Sequence, residues 1–193
     1  MMKYPNTIPR FLAVIIIMIV VLSLNCMQSY MPQSNWELQE YNGTDFRILP
    51  NDVRQDLDRY KSSRIAWVGI IQESEFYENP DNYEVLLLMQ HRYFDWQVDY
   101  SMTKSKYLVS TQGEGLFQTS WRLTKDADLP YFMDRFSAGN LAIVYATPDT
   151  VINDVVLVKS RYIRILDKSE FNATELNYIP EQRLKPPYKT TGN

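Results

Sequence analysis

The 193-residue sequence holds one cysteine and one histidine. A single cysteine excludes an intrachain disulfide framework, and the pair excludes a Cys/His zinc cage built from this chain alone. Positive charge is not in excess: 20 basic residues stand against 23 acidic ones, a net charge of -3. Nucleic-acid binders usually present a basic face, so that partner class is not expected. There is no Gly-x-Ser-x-Gly elbow and no phosphate-cradling glycine-rich loop, and Gly113-x-Gly115 is too short to count as one. No acid precedes Glu37, and no charge of either sign lies between Arg10 and Glu37. What is present is 45% hydrophobic and 22% charged. That composition folds rather than staying disordered, and the length suits one domain.

The amino terminus has the layout of a secretory signal. Lys3 and Arg10 give a basic start, residues 11–22 are wholly apolar, and Ser23-Leu24-Asn25-Cys26 follows. A helical 11–24 rises roughly 21 Å against a bilayer core of about 30 Å, so the run is short for a span. Cys26, with Leu22-Ser23-Leu24-Asn25 before it, resembles the modified cysteine of a bacterial lipoprotein signal. Asn25 stands where most such signals carry Gly, Ala or Ser, and Ser23 where most carry Leu. The chemistry this resemblance implies is acylation of the thiol by diacylglycerol, cleavage before Cys26 and acylation of the new amine. Chains buried at about 0.8 kcal/mol per CH₂ would hold such a protein on a membrane. An uncleaved anchor over residues 11–27, tilted or thinning the bilayer, is the alternative, with an ordinary cleaved signal a third.

The expected organisation is a signal over 1–25, a tether over 26–50, a β domain over 51–178 and a frayed tail over 179–193. Past the signal, 18 basic residues remain against 23 acidic. The tether is read from the lack of a clear period and from Pro32 and Pro50. Asn51 can cap a short helix over 51–62. Beyond it the chain reads as strands: Arg64–Gln72, Tyr83–Trp96 with a bend near His91, Lys106–Thr111, Leu116–Leu123, Leu141–Thr147 and Val155–Leu166. In the last, Tyr162, Arg164 and Leu166 face one way, Ile163 and Ile165 the other. Pro148-Asp149 and Asn153-Asp154 signal turns, and Pro130 to Gly139 brackets a second short helix. Mainly β structure with a helix between the third and fourth long strands predicts a small OB-like barrel of five to six strands, with one or two short helices.

Several segments in this frame resemble the Slp family of bacterial outer-membrane lipoproteins. They are Gly69-Ile70-Ile71, Glu84-Val85-Leu86-Leu87-Leu88, the Ser/Gly/Phe-bearing Ser110–Phe117, and Gly139–Val144. The Asp-Pro that tends to follow the glycine-phenylalanine segment is absent, and Ile165-Leu166 stands where a tryptophan ends the last strand. The resemblance covers roughly half the chain. It implies an outer-membrane envelope location and carries over no catalytic residue.

Candidate chemistry is sparse. His91 with Asp95 could act as a base and its orienter, but on one strand the two lie roughly 13 Å apart. Asp126-x-Asp128 and Asp52, Asp56 and Asp58 offer oxygen ligands, without the spacing of a twelve-residue calcium loop. Tyr93, Phe94, Trp96, Tyr100, Tyr107, Phe117 and Trp121 cluster in the middle third, where the second and third strands of an OB barrel form its ligand face. They suit either a barrel core or a partner-binding surface, the latter resting on Tyr93, Phe94, Trp96, Tyr107 and Trp121. The expectation is therefore a lipid-anchored envelope protein, attached through Cys26 and located at the outer membrane. Its non-catalytic β domain would bind a protein, glycan or lipid partner and need no cofactor or metal. A protein with an uncleaved transmembrane anchor and a carboxylate-based envelope enzyme are the alternatives.

Overall fold

The computed structural model describes residues 27–99, 107–167 and 169–174. The expected signal segment, Cys26, Tyr100 and the expected tail lie outside them. Nine strands are described: β1 Met27–Ser29, β2 Ile65–Glu78, β3 Asn82–Arg92, β4 Gln97–Asp99, β5 Tyr107–Ser110, β6 Leu116–Thr124, β7 Leu141–Ile152, β8 Val155–Leu166 and β9 Phe171–Thr174. Four short helices accompany them: α1 Asn35–Asn42, α2 Pro50–Gln55, α3 Leu57–Tyr60 and α4 Leu129–Arg135.

The protein is mainly β, and its centre is a closed five-stranded barrel in the order β2-β3-β6-β8-β7. Every neighbouring pair is antiparallel except β6 with β8, which run parallel from Phe117 opposite Val156 to Ser120 opposite Lys159. This is the OB-type order, with α4 between the third and fourth barrel strands. Two hydroxyls stitch the short parallel seam: Thr119 donates to the Val158 carbonyl at 3.2 Å, and Ser160 donates to the carbonyl of Ser120. Alternation sets the interior. Val85, Leu87, Met89 and His91 of β3 are buried, as are Phe117, Thr119 and Leu123 of β6. Gly69 faces inward, and a Cβ there would meet the Phe117 ring at 2.8 Å, so glycine makes the room that ring occupies. Asn153 and Asp154, at φ 48° and 64°, form the two-residue β7–β8 turn, where their short polar side chains tolerate the left-handed conformation.

A second layer covers one side of the barrel. Ala66 and Val68 of β2, Leu141, Ile143 and Tyr145 of β7, and Leu166 of β8 turn outward yet are buried. Tyr30, Phe46, Phe94, Trp96 and Val109 pack on them, with Tyr41, Tyr107 and Phe171 at the margin. Burial on both faces is why Leu141–Ala146 reads as a continuous apolar run.

The stretch expected to be a tether is thus part of the fold from Met27. Strand β1 pairs with β4, the Tyr30 amide donates to the Trp96 carbonyl at 2.8 Å, and the buried Trp67 indole donates to the Ile48 carbonyl at 2.8 Å. The physical reason is the apolar outer face of β2 and β7, which needs a cover. The cover consists of isolated aromatics on short elements, so it has no period to read.

Three local expectations also change. The single helix expected over 51–62 is α2 and α3, broken at Asp56, whose carboxylate caps α3 by accepting from the Arg59 amide at 3.2 Å. The helix expected to run to Ala138 ends at Arg135, because Asn140 Nδ2 donates to the carbonyls of Asp134 and Arg135, each at 3.0 Å. Pro148-Asp149 is no chain reversal but a register shift inside β7, one of the few places a strand accepts proline.

A buried ionic cluster joins the layers. Glu37 of α1 is fully buried; one carboxylate oxygen accepts from the hydroxyls of Tyr30 and, at 3.2 Å, Tyr145, and the other accepts from the Gln33 amide at 2.7 Å. Arg164 of β8 lies 3.7 Å from that carboxylate, donates to the Tyr30 hydroxyl and donates to Glu170 at 2.7 Å. Removing one partner leaves a charge buried without compensation, which costs about 3–5 kcal/mol. Arg164→Met is therefore expected to lower unfolding free energy by about that amount in urea titration, and adding Glu37→Gln to cost less than the sum of the single changes.

Candidate functional site

The barrel side that the described residues leave uncovered is the outer face of β2, β3, β6 and β8. Registers place its outward residues in rows: Leu88 beside Gln118 and Leu157, Leu86 beside Ser120 and Lys159, Glu84 beside Arg122. Glu73, Glu75 and Tyr77 of β2 stand opposite Leu88, Leu86 and Glu84, after a bulge between Ile71 and Glu73. Leu86, Leu88, Leu116 and Leu157 are half-buried, while Glu73, Glu75, Tyr77 and Arg122 are exposed. The face thus has an apolar centre with carboxylates along its β2 and β3 side. The turns at 79–81 and 153–154 frame it at opposite ends, as loops frame the ligand face of an OB barrel.

The aromatics expected on a partner-binding face are placed elsewhere. Phe94 and Trp96 are 2% and 4% exposed, 4.6 Å apart between ring centroids, and belong to the second layer. Tyr107 is half-buried against the same layer, 5.5 Å from Phe94. Trp121 pairs with inward-facing Val85 and packs on the barrel core. Tyr93 is half-buried and donates to the Glu114 carboxylate at 3.0 Å. Phe117 is wholly interior. Of the two roles these residues suited, Phe94, Trp96 and Phe117 serve the core.

His91 is a buried neutral imidazole. Its Nδ1 accepts from the Glu114 amide at 3.1 Å, and the Trp67 and Tyr93 rings stand edge-on to it. Burial first, then the charges of Arg54 and Arg92, push its pKa down to about 3. A base needs a nitrogen free to take a proton, and Nδ1 is already occupied as an acceptor. Gly113 lies against this site: a Cβ there would meet the His91 carbonyl oxygen at 1.8 Å. Gly113 therefore serves close packing against His91, while Gly115, at φ 82°, takes a left-handed conformation beside Arg54.

Beside it, Asn51, Arg54, Glu114, Asn153 and Asp154 line an open cleft of about 520 Å³. Arg54 donates to the carbonyls of Glu114, Leu116 and Asp154 and to the Asn51 side chain, so it clamps main chain together. The other sequence-level candidates are also structural. Asp52 accepts from the Leu49 amide at 2.9 Å, Asp128 caps α4 through the Tyr131 amide at 3.2 Å, and Asp126 lies at the surface. Among the described residues no three His, Cys, Asp or Glu side chains are grouped to hold a metal ion.

The sequence matches no family model and no curated protein.

Sequence reasoning missed Glu37. Ser34-Asn35-Trp36-Glu37 is a Ser-x-x-Glu helix start, and Ser34 Oγ does accept from the Glu37 amide at 3.1 Å. That spacing could have revealed α1. The carboxylate's burial could not be read, because it depends on Arg164, far along the chain.

The histidine yields a pH prediction. Unfolded His91 protonates near pH 6.5, whereas folded His91 resists until about 3. The unfolded state therefore binds more protons in this window, and stability is greatest above pH 6.5 and falls as pH drops. Between pH 6.5 and 5 the loss is about 2 kcal/mol. Urea titrations across that range should show the slope in the parent protein and a flattened one in His91→Gln, whose side-chain oxygen can accept from Glu114. A parent slope of zero would contradict the assignment.

Proposed function

We propose that the chain is a lipid-anchored protein of the bacterial cell envelope, held at the outer membrane through acylated Cys26. Its barrel is a non-catalytic module that binds a protein, glycan or lipid partner. The observation that carries this reading is the chain order: basic start, twelve apolar residues, Cys26, and then a folded domain from Met27. The resemblance to Slp lipoproteins belongs to the same proposal. The binding role is supported by the barrel face that the described residues leave uncovered, whose centre of Leu86, Leu88, Leu116 and Leu157 suits an apolar contact. Its rim of Glu73, Glu75 and Glu84 suits basic groups around that contact and disfavours a polyanion such as nucleic acid. The non-catalytic role is supported by the use of His91 in packing and of Asp52, Asp56 and Asp128 at helix starts.

The second reading is an uncleaved anchor, favoured by the unbroken apolar run from Phe11 to Leu22. Among the described residues no helix is long and apolar enough to cross a membrane, and the run itself lies outside them.

Intact-mass spectrometry of membrane-extracted protein separates the two. The expected product begins at Cys26, carries added acyl mass and leaves the membrane fraction in Cys26→Ala. A full-length product without acyl mass, still attached in Cys26→Ala, would replace the lipid anchor with a span.

A further inference from the structure

We propose that the segment Met31–Leu38 lies on the lipid surface at which Cys26 holds the chain, with Trp36 in the bilayer interface. This rests on the membrane attachment proposed above and holds for either form of it, because an acylated Cys26 and a span ending there both put the bilayer at residue 26.

The folded domain leaves no spacer behind that point. Strand β1 starts at Met27 and Tyr30 is buried. An extended chain rises about 3.3 Å per residue, so Tyr30 is within about 13 Å of Cys26 and Met31 within about 17 Å. This part of the domain therefore abuts the headgroups. Three of the seven large apolar side chains exposed among the described residues lie here: Met31 at 61%, Trp36 at 74% and Leu38 at 43%. The others, Tyr77, Tyr131, Met133 and Ile152, are spread over the β2–β3 hairpin, α4 and the β7–β8 turn.

Helix geometry explains the exposure. Successive residues turn by about 100°, so fixing Glu37 inward drives Trp36 and Leu38 to the flanks. The ion pairs remove the electrostatic objection to a lipid surface. Glu37 and Glu40 are the only acids between Met27 and Thr44. Glu37 is buried beside Arg164, and Glu40 is held by Arg64 at 2.6 Å and Arg161 at 2.7 Å. No free carboxylate of this segment faces anionic headgroups. A tryptophan with an apolar body and a donor edge suits the interface, where an apolar face settles about 5–10 Å deep.

The test uses the full chain, purified from membranes in detergent and reconstituted into phosphatidylethanolamine and phosphatidylglycerol vesicles. The acyl chains carry bromine near the headgroup end, which quenches nearby tryptophan. Trp67 and Trp96 are buried in the protein, so the change isolates Trp36 against Trp121. The expected result is bromine-dependent quenching that shrinks roughly threefold or more in Trp36→Phe and persists in Trp121→Phe, with all three proteins floating with the vesicles. Protein that floats while Trp36 stays unquenched would overturn the lipid contact and leave the attachment standing. Protein that does not float would overturn the attachment and this inference with it.

Discussion

The contact between Glu37 and Arg164 constrains the rest of the molecule. Neither charge reaches water, so each is tolerable only while the other is in place. Glu37 belongs to a short helix near the amino terminus and Arg164 to the last barrel strand. Tyr30 hydrogen-bonds to both, and burial, opposed by Arg164 and reinforced by Glu37, holds its hydroxyl protonated well above the ordinary range. The Arg164 guanidinium also stands 5.2 Å above the Tyr30 ring and 5.5 Å from that of Tyr107. Through Glu170, which Gln33 and the Asp167 amide also contact, the cluster reaches the turn leading into β9. One desolvated group of charges thus fastens segments from both ends of the domain to the barrel wall.

This fastening decides which surface is free. A five-stranded barrel has one outer wall, and the second layer takes the β2–β7 side of it. Phe94, Trp96 and Tyr107 after β3 are consumed in that layer, so the described parts of the segment joining the second and third barrel strands act as a cover. The wall over β3, β6 and β8 is left with leucines, short polar side chains, a carboxylate rim on the β2 and β3 side, and Arg122 and Lys159 on the β6 and β8 side. The proposed membrane attachment through Cys26 is compatible with that open face, since Met27, the next residue, pairs with β4 and not with a strand of the face.

The barrel strands were legible because they obey simple patterns. Val155–Leu166 has its expected bounds, and Tyr162, Arg164 and Leu166 do face away from Ile163 and Ile165. The helix between the third and fourth strands was legible from Pro130 and Gly139. The cover was not legible, because Tyr30, Phe46 and Trp96 act through contacts made between distant parts of the chain. For the same reason the aromatic cluster could be found in the sequence but not assigned to inside or outside. The aspartates likewise resembled ligand clusters until Asp52, Asp56 and Asp128 proved to accept from amides at helix starts. The leucines of the uncovered face, Leu86 and Leu88, were visible only as part of an apolar strand. It takes the register to show that they point away from Leu87 and Met89.

The ionic cluster makes the first twenty residues after Cys26 a fixed part of the domain. Hydrogen exchange of the purified protein is the direct test. The account predicts that the Tyr30 amide, bonded to Trp96, and the Asp45 amide, bonded to Arg64, exchange as slowly as amides of the second layer such as Ser110, bonded to Tyr93. All three should lose protection together in Arg164→Met. Exchange of Tyr30 and Asp45 at the rate of an unfolded chain, with the barrel strands still protected, would contradict it.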